Sequence, residues 1–386
     1  MTAEKLLFAM LRSVICGWEA DEQVKTACTP ELLGETFALA RKHDLGHFVG
    51  QAAADWKLPD GETVKAAKQV AMQALYRYMR LEQTYQQLCV FLEQEKIPFI
   101  PLKGTILRNE YPQPWMRTSC DIDILVKKEM VEETSRLLQE KADFKYRANT
   151  SHDVTLHAPN GVHLELHFDT IEDAISPEAQ QVLSTVWEVA EPVRAGSCHL
   201  AMPEAMFYYY HIAHMAKHFQ NGGCGIRPFW DLWILDQRTN ADREGRMRLL
   251  EKGGMMAFWK ASEKLVAIWA DNETGNDEMS KRFEQFILHG GVYGSSHSQV
   301  QIRQEKTGGR FGYIMSRIFQ PYDMLKYTYP VLIKHKWLFP FYQVVRWFRL
   351  LRKDSRERMA NQLQASSSID QQIRKETAQL LNYLGL

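Results

Sequence analysis

The chain changes from a helical to a strand-like hydrophobic period and back again along its length. In its first quarter, apolar residues recur three and four positions apart, in PELLGETFALARKHDLGHFVG and then from Thr63 to Lys96, which predicts amphipathic helices. IPFIPLKG, ending at Gly104, and CDIDILV are short and apolar, which predicts strands. SHDVTLH and GVHLELHF alternate with a period of two around Asn160-Gly161, which predicts a β-hairpin.

The order of these elements predicts an α+β fold, in which N-terminal and C-terminal helical segments flank a small mixed sheet. The predicted organisation has five parts. They are an N-terminal helical segment (1–95), a core that holds the strands (96–200), a helical domain (201–288), a flexible connection rich in Gly and Ser (289–310) and a C-terminal aromatic and basic helical segment (311–386). The candidate chemistry is expected in the second part.

Composition excludes several classes of protein. Lys+Arg and Asp+Glu both number 47, so the formal charge is zero and no overall basic surplus indicates a nucleic-acid partner. Glu4, Lys5 and Arg12 interrupt the first apolar stretch, which argues against a signal peptide, and no apolar run reaches the roughly 20 residues that span a bilayer. The six cysteines form no CxxC pair, which favours free thiols in a reducing compartment. We therefore expect a cytoplasmic protein.

Two aspartates stand inside the predicted strand CDIDILV. Side chains two apart on a strand share a face, so Asp121 and Asp123 project together while the isoleucines enter the core. In GVHLELHF the same alternation places Glu165 between His163 and His167 on one face. If the hairpin pairs with the first strand, three carboxylates meet, and they suit one or two Mg²⁺ ions with positions left for phosphate oxygens. The alternative is that the acids line a solvated strand edge.

The histidines beside Glu165 admit two roles. Either of them could accept the proton of a reacting hydroxyl group as a general base. A histidine near a metal site also commonly orients a metal ligand through a hydrogen bond. His167 is therefore a candidate residue of the cleft.

The stretch LKGTILRNEYPQPWMRTSCDIDILV resembles the signature of an uncharacterised bacterial nucleotidyltransferase family, within the superfamily whose fold is typified by DNA polymerase beta. The matching positions are Leu102, Lys103, Gly104, Arg117, Asp121, Ile122, Asp123, Ile124, Leu125 and Val126. FALARKHDLGHFV, LELHF, HIAHMAKHF and YTYPVLIKHKWLFP are also similar to segments of that family, so the resemblance covers most of the chain. It implies a sheet of the polymerase-beta type, a nucleotidyltransferase core at 96–200, and a catalytic metal site of Asp121, Asp123 and Glu165.

The resemblance also implies a nucleotide site at the turn before the acidic strand. The superfamily places Gly-Ser at this turn, whereas this chain has Gly104-Thr105, which keeps a hydroxyl group. Backbone N–H groups at such a turn bind phosphate, and Lys103 and Arg117 add positive charge. The alternative is that these two cations form ion pairs with the aspartates.

A predicted helix with spaced histidines follows the core. The histidines that share one face of it are His211, His214 and His218. His214, Lys217 or Asp231 could contact a ligand in a cleft. Ordinary packing between helices is the alternative that we favour, and a transition-metal site is a third interpretation.

The C-terminal segment KYTYPVLIKHKWLFPFYQVVRWFRLLRKDSRERM mixes aromatic and basic residues. This composition is typical of helices that lie on anionic lipid. Pro340 interrupts any continuous helix through the segment. We expect Trp337, Trp347 and their aromatic neighbours to pack on the helical domain, so that membrane contact is the alternative.

These observations and the resemblance together predict an Mg²⁺-dependent nucleotidyltransferase. It would move a nucleoside monophosphate, by default AMP from ATP, to a hydroxyl or phosphate group of a small-molecule acceptor and release pyrophosphate. Two alternatives stay open. The enzyme could add AMP to a protein, or the chain could be a catalytically silent nucleotide-binding or membrane-surface module.

Overall fold

The computed structural model describes the chain in seven ranges, which are 1–150, 152–170, 176–270, 277–292, 294–329, 331–350 and 371–386. The chain forms two compact units. The first consists of Met1–His214 and Ile226–Asp277, and the second of Met215–Gly225 and Glu278–Leu386. The five-part organisation stays a prediction.

Helices make up most of the first unit. Thr2 begins the first of them by accepting a hydrogen bond from the Lys5 amide, as threonine commonly does at an N-cap. The helices α1 to α13 are Ala3–Cys16, Glu22–Thr26, Pro30–Lys42, Gly46–Asp55, Glu62–Gln94, Gly104–Leu107, Val131–Lys141, Pro177–Leu183, Val186–Val189, Glu204–Gln220, Arg227–Asp236, Arg243–Lys252 and Met256–Ala270. Of these, α10 continues into the second unit. Short 3-10 helices lie at Arg108–Glu110, Pro114–Met116 and Lys128–Met130.

The strands of the first unit form a small mixed sheet and a short ribbon. The strands β1 to β7 are Phe99–Pro101, Asp121–Val126, Lys145–Asn149, Asp153–His157, His163–His167, Glu191–Pro192 and Leu200–Ala201. The first five form a sheet in the order β1-β2-β5-β4-β3, and β6 pairs with β7. In the five-stranded sheet β2 and β5 run parallel, and the other pairs are antiparallel. The predicted α+β fold class is therefore confirmed.

One face of the five-stranded sheet carries a hydrophobic core. Ile122 and Ile124 of β2 and Leu164 and Leu166 of β5 are fully buried there, in a cluster that includes Leu88 of α5. Fully burying a side chain of this size stabilises a fold by about 1.5–3 kcal/mol. Because side chains alternate along a strand, the two aspartates of β2 and the glutamate and histidines of β5 lie on the opposite, polar face.

The hairpin between β4 and β5 forms as predicted. Gly161 has a φ of +82°, in the left-handed region that glycine adopts without strain. Asn160 Nδ2 donates a hydrogen bond to Thr84 Oγ1 at 2.8 Å, which fixes the turn against α5. The hairpin thereby holds β5 beside β2.

The second unit is built from helices. Beyond the end of α10, the helices α14 to α20 are Glu278–Gly290, Ser296–Lys306, Arg310–Ile318, Tyr322–Thr328, Val331–Lys334, Phe339–Leu350 and Gln371–Leu384, with a 3-10 helix at Lys336–Leu338. Helix α15 lies inside the Gly- and Ser-rich segment 289–310. The hydroxyl of Ser295 accepts a hydrogen bond from the Ser298 amide at 2.9 Å, so a serine of the predicted connection serves as an N-cap.

The aromatic residues of the C-terminal segment do not all pack as predicted. Trp337 is 76% exposed, Phe341 60% and Phe348 67%, whereas Trp347 is partly buried. Pro340 lies in the first turn of α19, where its missing N–H breaks no helical hydrogen bond. The packing expectation is therefore wrong for the three exposed residues. Within the described ranges, no helix is long and apolar enough to cross a membrane.

Candidate active site

The polar face of the sheet brings the predicted acidic residues together. In the parallel pair of β2 and β5, Asp123 lies opposite Glu165, and Asp121 lies opposite His163. Since side chains two apart share a face, His167 projects on the same side of the sheet. The pairing on which the predicted acidic site depends is therefore present.

Asp123, Glu165 and His167 form a compact group of candidate metal ligands. One ligand atom from each lies within 4.8 Å of the others. His167 Nε2 is 2.9 Å from Asp123 Oδ1 and 3.3 Å from Glu165 Oε2. Two carboxylates and an imidazole can hold a divalent cation, so these residues fit the ion that the resemblance implies. Asp121, at the start of β2, lies outside this group.

Lys103 brings a cation to the same carboxylate. Its Nζ atom is 2.9 Å from Asp123 Oδ1. Its backbone has a φ of +48° and a ψ of −122°, and such a conformation costs a non-glycine residue about 1–3 kcal/mol. Lys103 immediately precedes α6, so this strained backbone sets the direction of its side chain. The ion pair considered as the alternative for Lys103 is present, and its contact with phosphate stays a prediction.

Burial and neighbouring charges shift the pKa values of this site in different directions. Burial raises the pKa of Asp121 to about 6, and the charges of Asp123 and Glu165 add to the shift. Burial alone would also raise the pKa of Asp123, but Lys103 and His167 outweigh it and lower that pKa. Burial alone would lower the pKa of His167, yet its hydrogen bonds to the two carboxylates raise it. Asp123 is therefore held in its ionised form.

The turn residues Gly104 and Thr105 lie at the start of α6. A Cβ atom on Gly104 would stand 3.2 Å from Arg117 Nη1 and 3.3 Å from Ser119 Cβ, so a larger residue would displace its neighbours. The Thr105 hydroxyl is buried and has no hydrogen-bond partner among the residues that the structure describes. A buried hydroxyl without a partner costs about 1–3 kcal/mol, which makes Thr105 a candidate ligand contact.

Arg117, which was predicted to bind phosphate, and Asp231, which was considered as a cleft residue, contact each other. Arg117 Nε is 2.7 Å from Asp231 Oδ1, and Arg117 Nη2 is 2.8 Å from Asp231 Oδ2. Tyr111 donates a hydrogen bond to the same carboxylate at 2.8 Å. All three side chains are buried. The ion pair joins the segment before β2 to helix α11, and the predicted phosphate contact of Arg117 remains a prediction.

The candidate ligand-binding residues of α10 differ in how deeply they are buried. His211 is buried and its Nε2 donates to the Pro228 carbonyl at 2.9 Å, so packing between helices accounts for it. His214 is partly buried, with its ring 5.9 Å from that of Tyr210. Lys217, in the second unit, is also partly buried. Among the described residues, no histidine of this helix belongs to a group that could hold a metal, and the ligand roles of His214 and Lys217 stay predictions.

A second group of potential ligands, which the strand pattern did not predict, lies beside the first. His152, Asp153 and His167 again bring one ligand atom each within 4.8 Å. Asp153 lies opposite His167 in the pair of β4 and β5. Counting outwards from the Asn160-Gly161 turn would have predicted this pairing, because a hairpin turn sets the register of its strands.

A second, partly buried contact to the segment before β2 was also not predicted. Arg227 Nη1 donates to the Thr118 carbonyl at 2.9 Å and lies 3.3 Å from Asp44 Oδ2. These partners are 109 and 183 residues away along the chain. No local pattern carries a signal for contacts of this separation.

Comparison with known proteins agrees with the geometry. The family model described as uncharacterised nucleotidyltransferase matches residues 32–270, which is more than half of the chain. No curated protein and no solved structure matches significantly. The matched range includes β1 to β5, the acidic site and the Arg117–Asp231 ion pair. The chain therefore belongs to the uncharacterised nucleotidyltransferase family and is an enzyme of that class.

Proposed function

We propose that this enzyme transfers AMP from ATP to a hydroxyl or phosphate group of a small-molecule acceptor, with Mg²⁺ as its metal and pyrophosphate as the second product. The observation that carries the proposal is the pairing of Asp123 with Glu165 across β2 and β5. His167 lies within hydrogen-bonding reach of both carboxylates. This donor set supports a divalent ion next to a phosphate-bearing substrate.

Asp123 and Glu165 would hold the ion, with Asp121 beside them on the same face. When bound, the ion would neutralise charge on the phosphate groups and activate the attacking oxygen. A metal ion at Asp123 would replace Lys103 as the counter-charge of that carboxylate. Lys103 would then be free to pair with the triphosphate. His167 would complete the ligand set through Nε2, and the proton on that atom would leave as the ion binds, because metal ligands bind in their deprotonated forms.

Gly104 and Thr105 support the nucleotide part of this proposal. The close approach of Arg117 and Ser119 to Gly104 requires a small residue at this turn. The buried Thr105 hydroxyl offers a hydrogen bond that has no partner in the described ranges. We assign both residues to the triphosphate side of the site, with Lys103.

The test is pyrophosphate release with each of the four NTPs, using the small-molecule and the protein fractions of a cell extract as separate sources of acceptor. We expect release with ATP, Mg²⁺ and the small-molecule fraction. Asp123→Asn should abolish the release, because the remaining donors hold the ion poorly. Asp143→Asn, in an exposed position after α7, removes the same charge and should leave the rate unchanged.

The two acceptor fractions separate the proposal from its main alternative. Release that requires the protein fraction, with AMP appearing on a protein by mass spectrometry, would identify a protein-modifying enzyme. Release that persists in Asp123→Asn would refute the assignment of the acidic site. Binding of ATP without release from either fraction would contradict the proposed acceptor class.

A further inference from the structure

Four large apolar side chains of the second unit lie on one exposed helix face. They belong to the 3-10 helix Lys336–Leu338 and to α19, and they are Trp337, Phe341, Val344 and Phe348. Between 42% and 76% of each side chain is exposed. Their spacings of four, three and four residues place them on one side of a helix. We call this stripe the aromatic face.

Contacts on the opposite side fix the orientation of α19. The side chains of α19 that pack against a buried cluster are Phe339, Tyr342 and Val345, and the cluster consists of Leu325, Tyr329 and Leu332. The helix therefore has apolar residues on two sides, and only one side meets the core. A contiguous patch of exposed apolar side chains typically marks a protein or membrane interaction site. The aromatic face thus calls for a partner.

The aromatic face lies in the part of the chain where positive charge is concentrated. Residues 310–350 contain one acidic residue, Asp323, and seven basic residues, which are Arg310, Arg317, Lys326, Lys334, Lys336, Arg346 and Arg349. Their formal charge is +6 in a chain whose total is zero. Lys334, Lys336 and Arg349 are exposed at sequence positions next to the aromatic face. A partner of this surface is therefore anionic.

We propose that the aromatic face docks on the surface of an anionic lipid bilayer. Helix α19 has 12 residues, about 18 Å at 1.5 Å per residue, which is too short to span a bilayer but suits a helix that lies in its interface. The aromatic and aliphatic side chains enter the headgroup region, and the neighbouring cations pair with anionic headgroups. The proposal does not depend on the reaction proposed above.

The same features disfavour two other partners. A second copy that docked through the same surface would bring another segment of charge +6 against the first, and like charges repel. Nucleic acid would satisfy the cations and its bases could stack on the three rings, but it would leave Val344 and the exposed Ile333 without an apolar partner. A lipid surface uses the aliphatic, aromatic and basic side chains together.

Co-sedimentation of the full chain with vesicles tests the proposal. We expect binding to mixed phosphatidylcholine–phosphatidylserine vesicles, weak binding to phosphatidylcholine alone, and release by added salt as charges are screened. Trp337→Ala/Phe341→Ala and Lys334→Glu/Lys336→Glu should each lower the partition coefficient at least about tenfold. Phe311→Ala is the matched control, because Phe311 is 78% exposed in the same unit but lies away from the stripe in sequence.

Several outcomes would overturn the proposal. They are failure to bind anionic vesicles, equal loss of binding in Phe311→Ala, and unchanged binding in both double variants. Tighter binding to a single-stranded oligonucleotide than to anionic vesicles would assign the surface to nucleic acid instead. Since the substituted side chains are exposed, unchanged thermal unfolding of the variants is expected and excludes loss of folding as the cause.

Discussion

At the scale of single residues, Asp123 has partners that the strand pattern alone does not identify. The alternation in DIDILV correctly places Asp121 and Asp123 on one face of β2. The pattern suggests repulsion between two carboxylates, yet Asp123 lies between Lys103 and His167. Lys103 reaches it from a backbone with a φ of +48°, which hydrophobic periodicity cannot encode. The charge of Asp123 is therefore stabilising before any metal binds.

Asp123→Asn should destabilise the metal-free protein by about 3 kcal/mol, because it leaves Lys103 without its counter-charge in a buried site. The pKa of Asp123 is lowered in the folded state, so its contribution is complete above the usual carboxyl pKa and declines as pH falls towards the lowered value. Urea unfolding near neutral pH and in acid measures this. A variant as stable as wild type near neutral pH would contradict the prediction, and Asp143→Asn is the control.

Lys103→Met should change the affinities for metal and for nucleotide in opposite directions. Without the lysine, a metal no longer competes with Nζ for Asp123 Oδ1, so Mn²⁺ binding in the absence of nucleotide should become about tenfold tighter or more. ATP binding should weaken by about 1–3 kcal/mol, the scale of a lost charge-assisted hydrogen bond. Isothermal titration measures both affinities.

Lys145→Met is the matched control for that experiment, since Lys145 is exposed on β3 of the same sheet. It should leave both affinities unchanged. Weaker Mn²⁺ binding in Lys103→Met would show that Lys103 supports the metal site instead of competing with the ion. Unchanged ATP binding would remove Lys103 from the triphosphate site.

At the scale of elements, the hydrophobic periods correctly predicted those helices and strands that are determined by residues close together in the sequence. The hairpin, the acidic strand and the long helix α5 follow from local patterns, and the structure contains all three. The partner of Arg117 could not be predicted in this way, because Asp231 lies 114 residues later. Helix α15 was obscured by the glycines around it, although Ser295 is an ordinary N-cap residue. The prediction therefore failed for a contact between distant parts of the sequence and for a helix whose start is marked only by its N-cap residue.

The Arg117–Asp231 ion pair should hold the segment before β2 on helix α11. Arg117→Met leaves a buried carboxylate unpaired, so we expect a loss of about 3–5 kcal/mol of stability. The double variant Arg117→Met/Asp231→Leu should recover part of the loss, since an apolar pair of similar volume removes the unpaired charge. Thermal or urea unfolding of the single and double variants measures the coupling.

A matched exposed pair shows what the buried one adds. Arg136→Met breaks the contact with Glu140 on the surface of α7 and should cost less than about 1 kcal/mol. If Arg117 binds phosphate, Arg117→Met should instead lower ATP affinity with little change in stability. A small stability change would therefore refute the structural role.

At the scale of the whole molecule, a formal charge of zero conceals two differently charged regions. The acidic face of the sheet belongs to the first unit, and the basic residues around the aromatic face belong to the second. The total composition correctly shows no overall basic surplus. It does not show that basic residues are concentrated in one part of the sequence. The exposure of Phe341 and Phe348 depends on which side of α19 meets the core, and the apolar residues on both sides made that side ambiguous in the sequence.

Two ligands should therefore leave separate footprints on one chain. Hydrogen–deuterium exchange with Mg²⁺ and ATP should slow exchange in peptides around α6, β2 and β5, because ligand binding stabilises the region that it contacts. Anionic vesicles should slow exchange at 331–350 and leave those first-unit peptides unchanged. Asp123→Asn should lose the first footprint alone, and Trp337→Ala/Phe341→Ala the second alone. Protection of 331–350 by Mg²⁺ and ATP without vesicles would contradict this separation and place the aromatic face in the response to nucleotide.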